Sequence, residues 1–205
     1  MTEPMAKDMA EERSDAEVMA RARRGDREAF AELVDRHKDA VVSYLTRLCG
    51  DRDRAEDLGQ ETFLRLFRAT AYAEQGYLRA YLFRIATNLV RSEERRDRRL
   101  RLLLPFLGRA ADRIDPAAHQ GLLRAELHGA VAAALAELPL RFRVPLVLHE
   151  IEGWPYAAIA EELQCREGTV KSRVHRGRLH LKRKLEPYWH GGTSWKTTSP
   201  DASEG

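Results

Sequence analysis

Cysteine is scarce in this chain. Cys49 and Cys165 stand far apart in sequence, with no CxxC or Cys/His cluster around either. That leaves no basis for a disulfide framework or a thiolate zinc site, and it fits a reducing compartment. Long apolar runs are missing as well. No stretch approaches the roughly 18 residues that a membrane span requires, and the start has no signal-peptide core. The expectation is a soluble, cytoplasmic protein. β signals are equally thin, with no run of alternating β-branched residues between turn dipeptides. The chain has no Gly-rich phosphate loop, nucleophile–base pair or metal-ligand spacing, and neighbouring acids such as Glu93 and Glu94 read as solvated helix charges. An enzyme, a cofactor and a bound metal are therefore not expected. No internal repeat is evident.

What the chain does have is charge, unevenly spread. Charged residues make up 33% of it, yet the formal net charge is only +3. The start is acidic (Glu3, Asp8, Glu11, Glu12, Asp15, Glu17), whereas Arg91 to Arg101 and Lys171 to Lys184 are strongly basic. Local stripes of this kind steer a protein toward a polyanion more than the net sum does.

Helical periodicity dominates the rest. Phe30, Leu33, Val34, Val41, Leu45 and Leu48 form one amphipathic stripe, ended by Gly50. Asp51 to Asp53 can start the next helix, which carries Leu58, Phe63, Leu66 and Phe67. After a looser stretch with Gly76, the spacing of Leu82, Ile85, Ala86 and Leu89 predicts another helix. Gly108 to Gly121, with Pro116, reads as a linker. A second block follows, with a helix through Leu127, Val131, Leu135 and Leu138 to Pro139, and another carrying Val144, Leu146, Val147 and Leu148. The predicted fold class is all-α: two small helical domains at 25–99 and 122–187. They are joined by a linker at 100–121, preceded by an acidic tail at 1–24 and followed by a disordered tail at 188–205. Each block is small enough that its core should be marginal without a partner or the other block.

The strongest single signal is Tyr156 to Arg178, which reads as a helix-turn-helix. Ile159, Ala160 and Leu163 repeat at helical spacing, a polar break follows at Gln164 to Arg166, and a second helix begins near Glu167. Val170, Val174, Gly177, Leu181 and Leu185 fall on one face of that helix. Ser172, His175, Arg176 and Leu179 centre the opposite face, flanked by Lys171 and Arg173. A cationic face on a second helix suits the major groove, where a bidentate Arg–guanine contact discriminates by ~1–3 kcal/mol. A solvated basic face is the plain alternative.

Two constellations stand out in the first block. The helix from Ala55 to Phe67 offers an acidic, amide-bearing face (Asp57, Gln60, Glu61, Leu64) beside an apolar one (Phe63, Leu66, Phe67). Spacing alone makes it an ordinary surface helix first and a docking surface second. Gly59 within it costs about 1 kcal/mol relative to Ala, which hints at close packing or a local adjustment. The segment from Tyr77 to Asn88 interleaves aromatics with cations and runs on to Arg91, Arg95, Arg96, Arg98 and Arg99. Rings stack on unpaired bases at ~1–3 kcal/mol each and arginines hold phosphates. Tyr81 and Phe83 fit core positions equally well.

Together, AEDLGQETFLRLFR, YLRAYLFRIATN with the arginines after it, ELPLRFRVPLVLHEIEGWPYAAIAEEL and GTVKSRVHRGRLHLK resemble RNA polymerase sigma factors of the sigma-70 family, in its small, two-domain extracytoplasmic-function (ECF) group. The resemblance covers Phe30 to Arg99 and Leu127 to Leu185. It implies a promoter-specificity subunit. The first domain would bind the β′ clamp helices of core RNA polymerase through Asp57, Gln60, Glu61 and Leu64. It would open and read the −10 element through Tyr81, Arg84 and Asn88, with Arg91 and Arg95 on the same strand and Tyr77 shaping the loop that receives a flipped base. The second domain would pack on the β flap and face the −35 duplex with Lys171, Ser172, Arg173 and Arg176, with His175 touching a base or phosphate. An anti-sigma factor is the implied regulatory partner. The sequence departs from the family pattern at Gly59 (usually aliphatic), Tyr81 (usually Trp), Arg166 (usually Ser or Pro at the N-cap) and His175 (often aromatic or aliphatic). A stand-alone helix-turn-helix regulator of duplex operators explains Tyr156 to Arg178 but not the segment around Asn88. A nuclease has the least support.

Overall fold

The computed structural model describes residues 15–69, 78–103 and 124–188. Among the described residues every regular element is helical, as the periodicity predicts. The first domain contains α1 (residues 15–23), α2 (Arg27–Cys49), α3 (Arg52–Arg68) and α4 (Leu78–Leu103). Its helix ends are written in side-chain chemistry. Asp26 Oδ1 accepts the Ala29 N–H at 3.0 Å to open α2, and Asp51 Oδ1 accepts the Arg54 N–H at 2.9 Å to open α3. Each bond satisfies one of the donors a helix N-terminus leaves unpaired. Gly50, at φ 76°, closes α2 in the left-handed conformation that glycine adopts without a Cβ penalty.

The three long helices bury Leu33, Val41, Tyr44, Leu45, Leu48, Leu66, Leu82, Phe83 and Ala86 between them. Tyr44 lies wholly inside, with its hydroxyl 2.7 Å from Thr87 Oγ1 and its ring stacked on Phe83 at 4.4 Å. Gly59 is the close approach its sequence position hints at, since a Cβ there would stand 3.3 Å from Val42 Cγ2.

The second domain contains α5 (Arg124–Glu137), α6 (Leu140–Glu150), α7 (Tyr156–Glu162), α8 (Glu167–Leu185) and a closing 3₁₀ turn, Glu186–Tyr188. Here the helices begin at Pro139, Pro155 and Arg166, none of which provides a side-chain cap. The turn between α7 and α8 depends on Gln164 at φ 50°, a left-handed position costing an L-residue roughly 1–2 kcal/mol. Val170, Val174 and Gly177 bury one face of α8 against α6. A Cβ on Gly177 would come within 3.2 Å of Leu146 Cδ2, so glycine sets the depth of that packing.

Three sequence expectations need correction. Residues 15–23 are not tail: they form α1, which buries Val18, Met19 and Ala22, and Asp15 accepts bonds from Arg36 (2.9 Å) and His37 (2.7 Å). The linker does not start at residue 100, because α4 continues to Leu103. Phe67 does not share the buried face of Phe63 and Leu66; it is 64% exposed, with its ring edge on Phe30 at 5.0 Å. Tyr77, Gly76, residues 104–121 of the linker and the tail from 189 onward lie outside the described residues.

The two domains touch. Gly50 at the end of α2 abuts Ala136 of α5, where an added Cβ would lie 3.0 Å from the Ala136 Cβ. Arg143 of α6 donates to the carbonyls of Leu48, Ala136 and Leu138. Its guanidinium thus serves the carbonyl ends of two helices, one from each domain, where the helix dipole favours a cation. Burial lowers the pKa of Arg143 from its ordinary value, although a guanidinium remains protonated in such a setting.

Candidate nucleic-acid interface

Three polar faces emerge from this packing. The first runs along α4. Tyr81, Arg84, Asn88, Arg91 and Arg95 recur every three or four residues, so the helix brings them to one side, opposite the buried Leu82, Phe83, Ala86, Leu89 and Val90. Arg84 and Asn88 are exposed, Arg91 is half-buried, and Arg95 donates to Ser92 Oγ at 2.9 Å. Tyr81 is half-buried and packs against the core. Phe83 is fully buried, which assigns it to the core. Farther along α4, Arg95, Arg96 and Arg99 line a shallow basic depression with Ser92. Arg84 is not free to solvent on every side, because its Nε donates to Glu162 Oε2 at 2.6 Å, across the domain boundary.

The second face is on α8. Ser172, His175, Arg176 and Leu179 are exposed on the side away from Val170, Val174 and Gly177. Lys171 pairs with Glu167 at 2.8 Å, and its ammonium lies 5.8 Å from the Tyr156 ring. The Glu167 carboxylate raises the Lys171 pKa, keeping it charged. Tyr156 in turn stacks on His149 at 4.1 Å, and His149 Nδ1 donates to the Trp154 carbonyl at 2.9 Å. Arg173 is half-buried, with Nη1 3.9 Å from Cys165 Sγ, so it braces the turn as well as flanking the face. Arg166 occupies the N-cap with no capping bond, as its side chain implies.

The third face is on α3. Asp57 and Gln60 are exposed, Glu61 is held by Arg65 at 2.8 Å, and Leu64 is 46% exposed beside Phe67. Sequence reasoning missed Phe67 as part of this face. The signal was available, because Phe67 stands three residues beyond Leu64 and seven beyond Gln60.

Among the described residues no group of three or more His, Cys, Asp or Glu could hold a metal ion. Burial pushes the Cys49 thiol up to about 11, so it carries no thiolate at neutral pH. No described helix is long and apolar enough to cross a membrane.

Two helical domains, one with a helix-turn-helix and an outward cationic recognition helix, define a DNA-binding transcription protein. Residues 33–100 match the family model for Sigma-70 region 2, and residues 128–181 match that for Sigma-70, region 4. The ECF RNA polymerase sigma factor SigE of Mycolicibacterium smegmatis is 40% identical over 157 residues, covering 75% of this chain and 60% of that protein. The ECF RNA polymerase sigma-E factor of Haemophilus influenzae is 30% identical over 188 residues, covering 87% of this chain and 99% of its own length. Among solved structures, the sigma factor RpoE of Bartonella quintana, in complex with the anti-sigma factor NepR, aligns with a TM-score of 0.61 at 27% identity over 77% of this chain and 96% of that one. This chain belongs to the sigma-70 family of RNA polymerase sigma factors, in the ECF group. It directs transcription initiation at promoters.

Proposed function

We propose that the chain performs this role through three surfaces, with the α4 and α8 faces divided between single-stranded and duplex DNA. The observation that carries the division is the contrast between the faces. The α8 face is short, convex and cationic around Arg176, a form that fits a major groove. The α4 face sets Tyr81, Arg84, Asn88, Arg91 and Arg95 along a helix of about 39 Å, long enough to follow an extruded strand. Extruding a base costs a few kcal/mol, and ring stacking with an amide on the base edge offsets it. On this reading Lys171, Ser172, Arg173, His175 and Arg176 meet the −35 duplex. Region 2 takes in α1 to α4, and region 4 takes in α5 to α8.

The α3 face (Asp57, Gln60, Glu61, Leu64, and now Phe67) docks the β′ clamp helices of core polymerase, combining exposed acids with a small apolar patch. Region 4 packs on the β flap. An anti-sigma factor restrains the free protein, in line with the solved relative bound to NepR. The protein acts in the cytoplasm and is not an enzyme.

Run-off transcription with core polymerase on a genomic fragment library, with transcript starts sequenced, tests this. New starts sharing spaced −35 and −10 motifs are the expected result. Tight duplex binding by the protein alone without new starts would instead indicate an operator-binding regulator.

A further inference from the structure

A glycine inside a helix needs a reason, because it gives up more chain entropy on folding than alanine and has no side chain to pack. The described helices hold four: Gly59, Gly129, Gly168 and Gly177. Packing explains two of them. A Cβ would stand 3.3 Å from Val42 Cγ2 at Gly59 and 3.2 Å from Leu146 Cδ2 at Gly177. At Gly129 and Gly168 a Cβ would meet nothing within 4 Å, and neither residue has a positive φ. Nothing inside the protein therefore calls for glycine at those two positions. They differ in where they stand. Gly129 is exposed on α5, which carries no face assigned to DNA. Gly168 lies four, seven, eight and eleven residues before Ser172, His175, Arg176 and Leu179, so it heads their exposed face on α8.

The side chains next to Gly168 are drawn aside. Glu167 is held by Lys171 at 2.8 Å, beside the Tyr156 ring, and Ser172 Oγ donates to the Thr169 carbonyl at 2.9 Å, which folds the hydroxyl onto the helix's own backbone. The head of the face is therefore low, and the longer side chains of His175, Arg176 and Leu179 rise farther along it. We infer that Gly168 is a specificity-determining position, kept without a side chain so that a base-pair edge can lie against the first turn of α8. The helix then enters the major groove head first, as recognition helices do, with Gly168 at the point of closest approach. This rests on the assignment of α8 to the −35 duplex. A Cβ at that point holds the helix away from the bases and lengthens each base contact along it. Contacts to phosphates come from long, flexible side chains and adjust. The loss should fall on sequence-specific binding and spare the non-specific part.

The test compares the full wild-type chain with Gly168→Ala, Gly168→Leu and, as a control, Gly129→Ala. The probe is a short fluorescein-labelled duplex that copies the upstream motif of the strongest start directed by the wild-type chain in run-off transcription. A duplex with that motif scrambled stands beside it. Affinity is read by anisotropy and Tm by circular dichroism. Gly168→Ala should raise Tm by about 1–3 °C yet weaken binding to the motif duplex by about ten-fold. Gly168→Leu should bind that duplex more weakly still, and both variants should bind the scrambled duplex as wild type does. Gly129→Ala should also raise Tm and leave both affinities unchanged. Wild-type affinity for the motif duplex in both Gly168 variants overturns the inference. Equal losses on the motif and scrambled duplexes overturn it too, since they mark a folding or phosphate effect, as does a motif-specific loss in Gly129→Ala. If Gly168→Leu fails to fold, Gly168→Ala decides alone. No promoter-directed starts with the wild-type chain would sink the −35 assignment and this inference with it, whereas normal starts with unchanged binding by Gly168→Ala sink the inference alone.

Discussion

The two domains reach their folds by different means. In the first, Asp26 and Asp51 cap α2 and α3 with side-chain oxygens, and a wholly buried Tyr44–Phe83 stack fills the centre. In the second, three helices start without a side-chain cap, the turn strains Gln164, and aliphatic contacts around Gly177 set the depth. The first is therefore specified locally as well as by its core, and the second almost wholly by packing. The faces proposed to meet DNA differ in the same sense. The α8 face is open to solvent, whereas the α4 face is engaged at Arg84 by the other domain. A small domain with uncapped helices gains from a neighbour, and here Arg84 of the neighbour's α4 face supplies part of the contact.

The largest expected effect comes from the residue that serves both domains. Phe83 stacks on Tyr44 within the first and faces Trp154 across the seam. Phe83→Ala should destabilise the chain by about 3–5 kcal/mol. In urea denaturation followed by near-UV circular dichroism and tryptophan fluorescence, loss of the seam should also separate the unfolding of the two domains. A single coincident transition of unchanged midpoint would mean that Phe83 contributes little to either.

Much of this arrangement was legible in the sequence. The stripes of α2 and α8, the caps at Asp51 and Gly50 and the turn at Gln164 follow from side-chain period and turn chemistry, both local. The α8 face could be read because Val170, Val174 and Gly177 fix the phase of the helix, so Ser172, His175 and Arg176 must point the other way. The ion pairs of Glu152 and Glu162 could not be read, since their partners lie 73 to 105 residues away and no local pattern encodes such distances. Helix α1 was hidden for a related reason. Its acids suggest a solvated tail, and only the Asp15 contacts to Arg36 and His37 show why one of them is buried.

The difference between the two proposed DNA faces is sharpened by one substitution in each. Arg176→Ala should weaken −35-dependent transcription and relax discrimination there by about 1–3 kcal/mol, roughly 5- to 150-fold. Comparing intact with mutated −35 sequences checks this, and equal losses on both would indicate a phosphate contact, not base reading. Asn88→Ala should impair −10 use while leaving polymerase binding in place, as read by native gel shift against core enzyme. Loss of that binding would make Asn88 structural.

Capping offers a smaller perturbation in the first domain. Asp51→Ala removes the oxygen that accepts the Arg54 N–H and should cost about 1 kcal/mol. Thermal denaturation should show a lower Tm, and Asp51→Asn, which retains a capping oxygen, should recover most of it. No difference between the Ala and Asn variants would show that α3 is held by its core alone.

The smallest effect is expected from the converse change in the second domain. Arg166 has the extended backbone of an N-cap, φ −71° and ψ 145°, but no oxygen to offer the first turn of α8. Arg166→Ser supplies one without altering the backbone and should stabilise the chain by about 0.5–1 kcal/mol. A natural residue that forgoes this gain at the head of a recognition helix suggests another use for its charge, because the N-terminus of such a helix lies near the DNA backbone. Arg166→Ser should therefore raise Tm while lowering −35 duplex affinity, and the slope of log affinity against log salt should flatten by about 1. A higher Tm with unchanged affinity and slope would leave Arg166 as a plain stability defect, and the contrast between the domains would then concern folding alone.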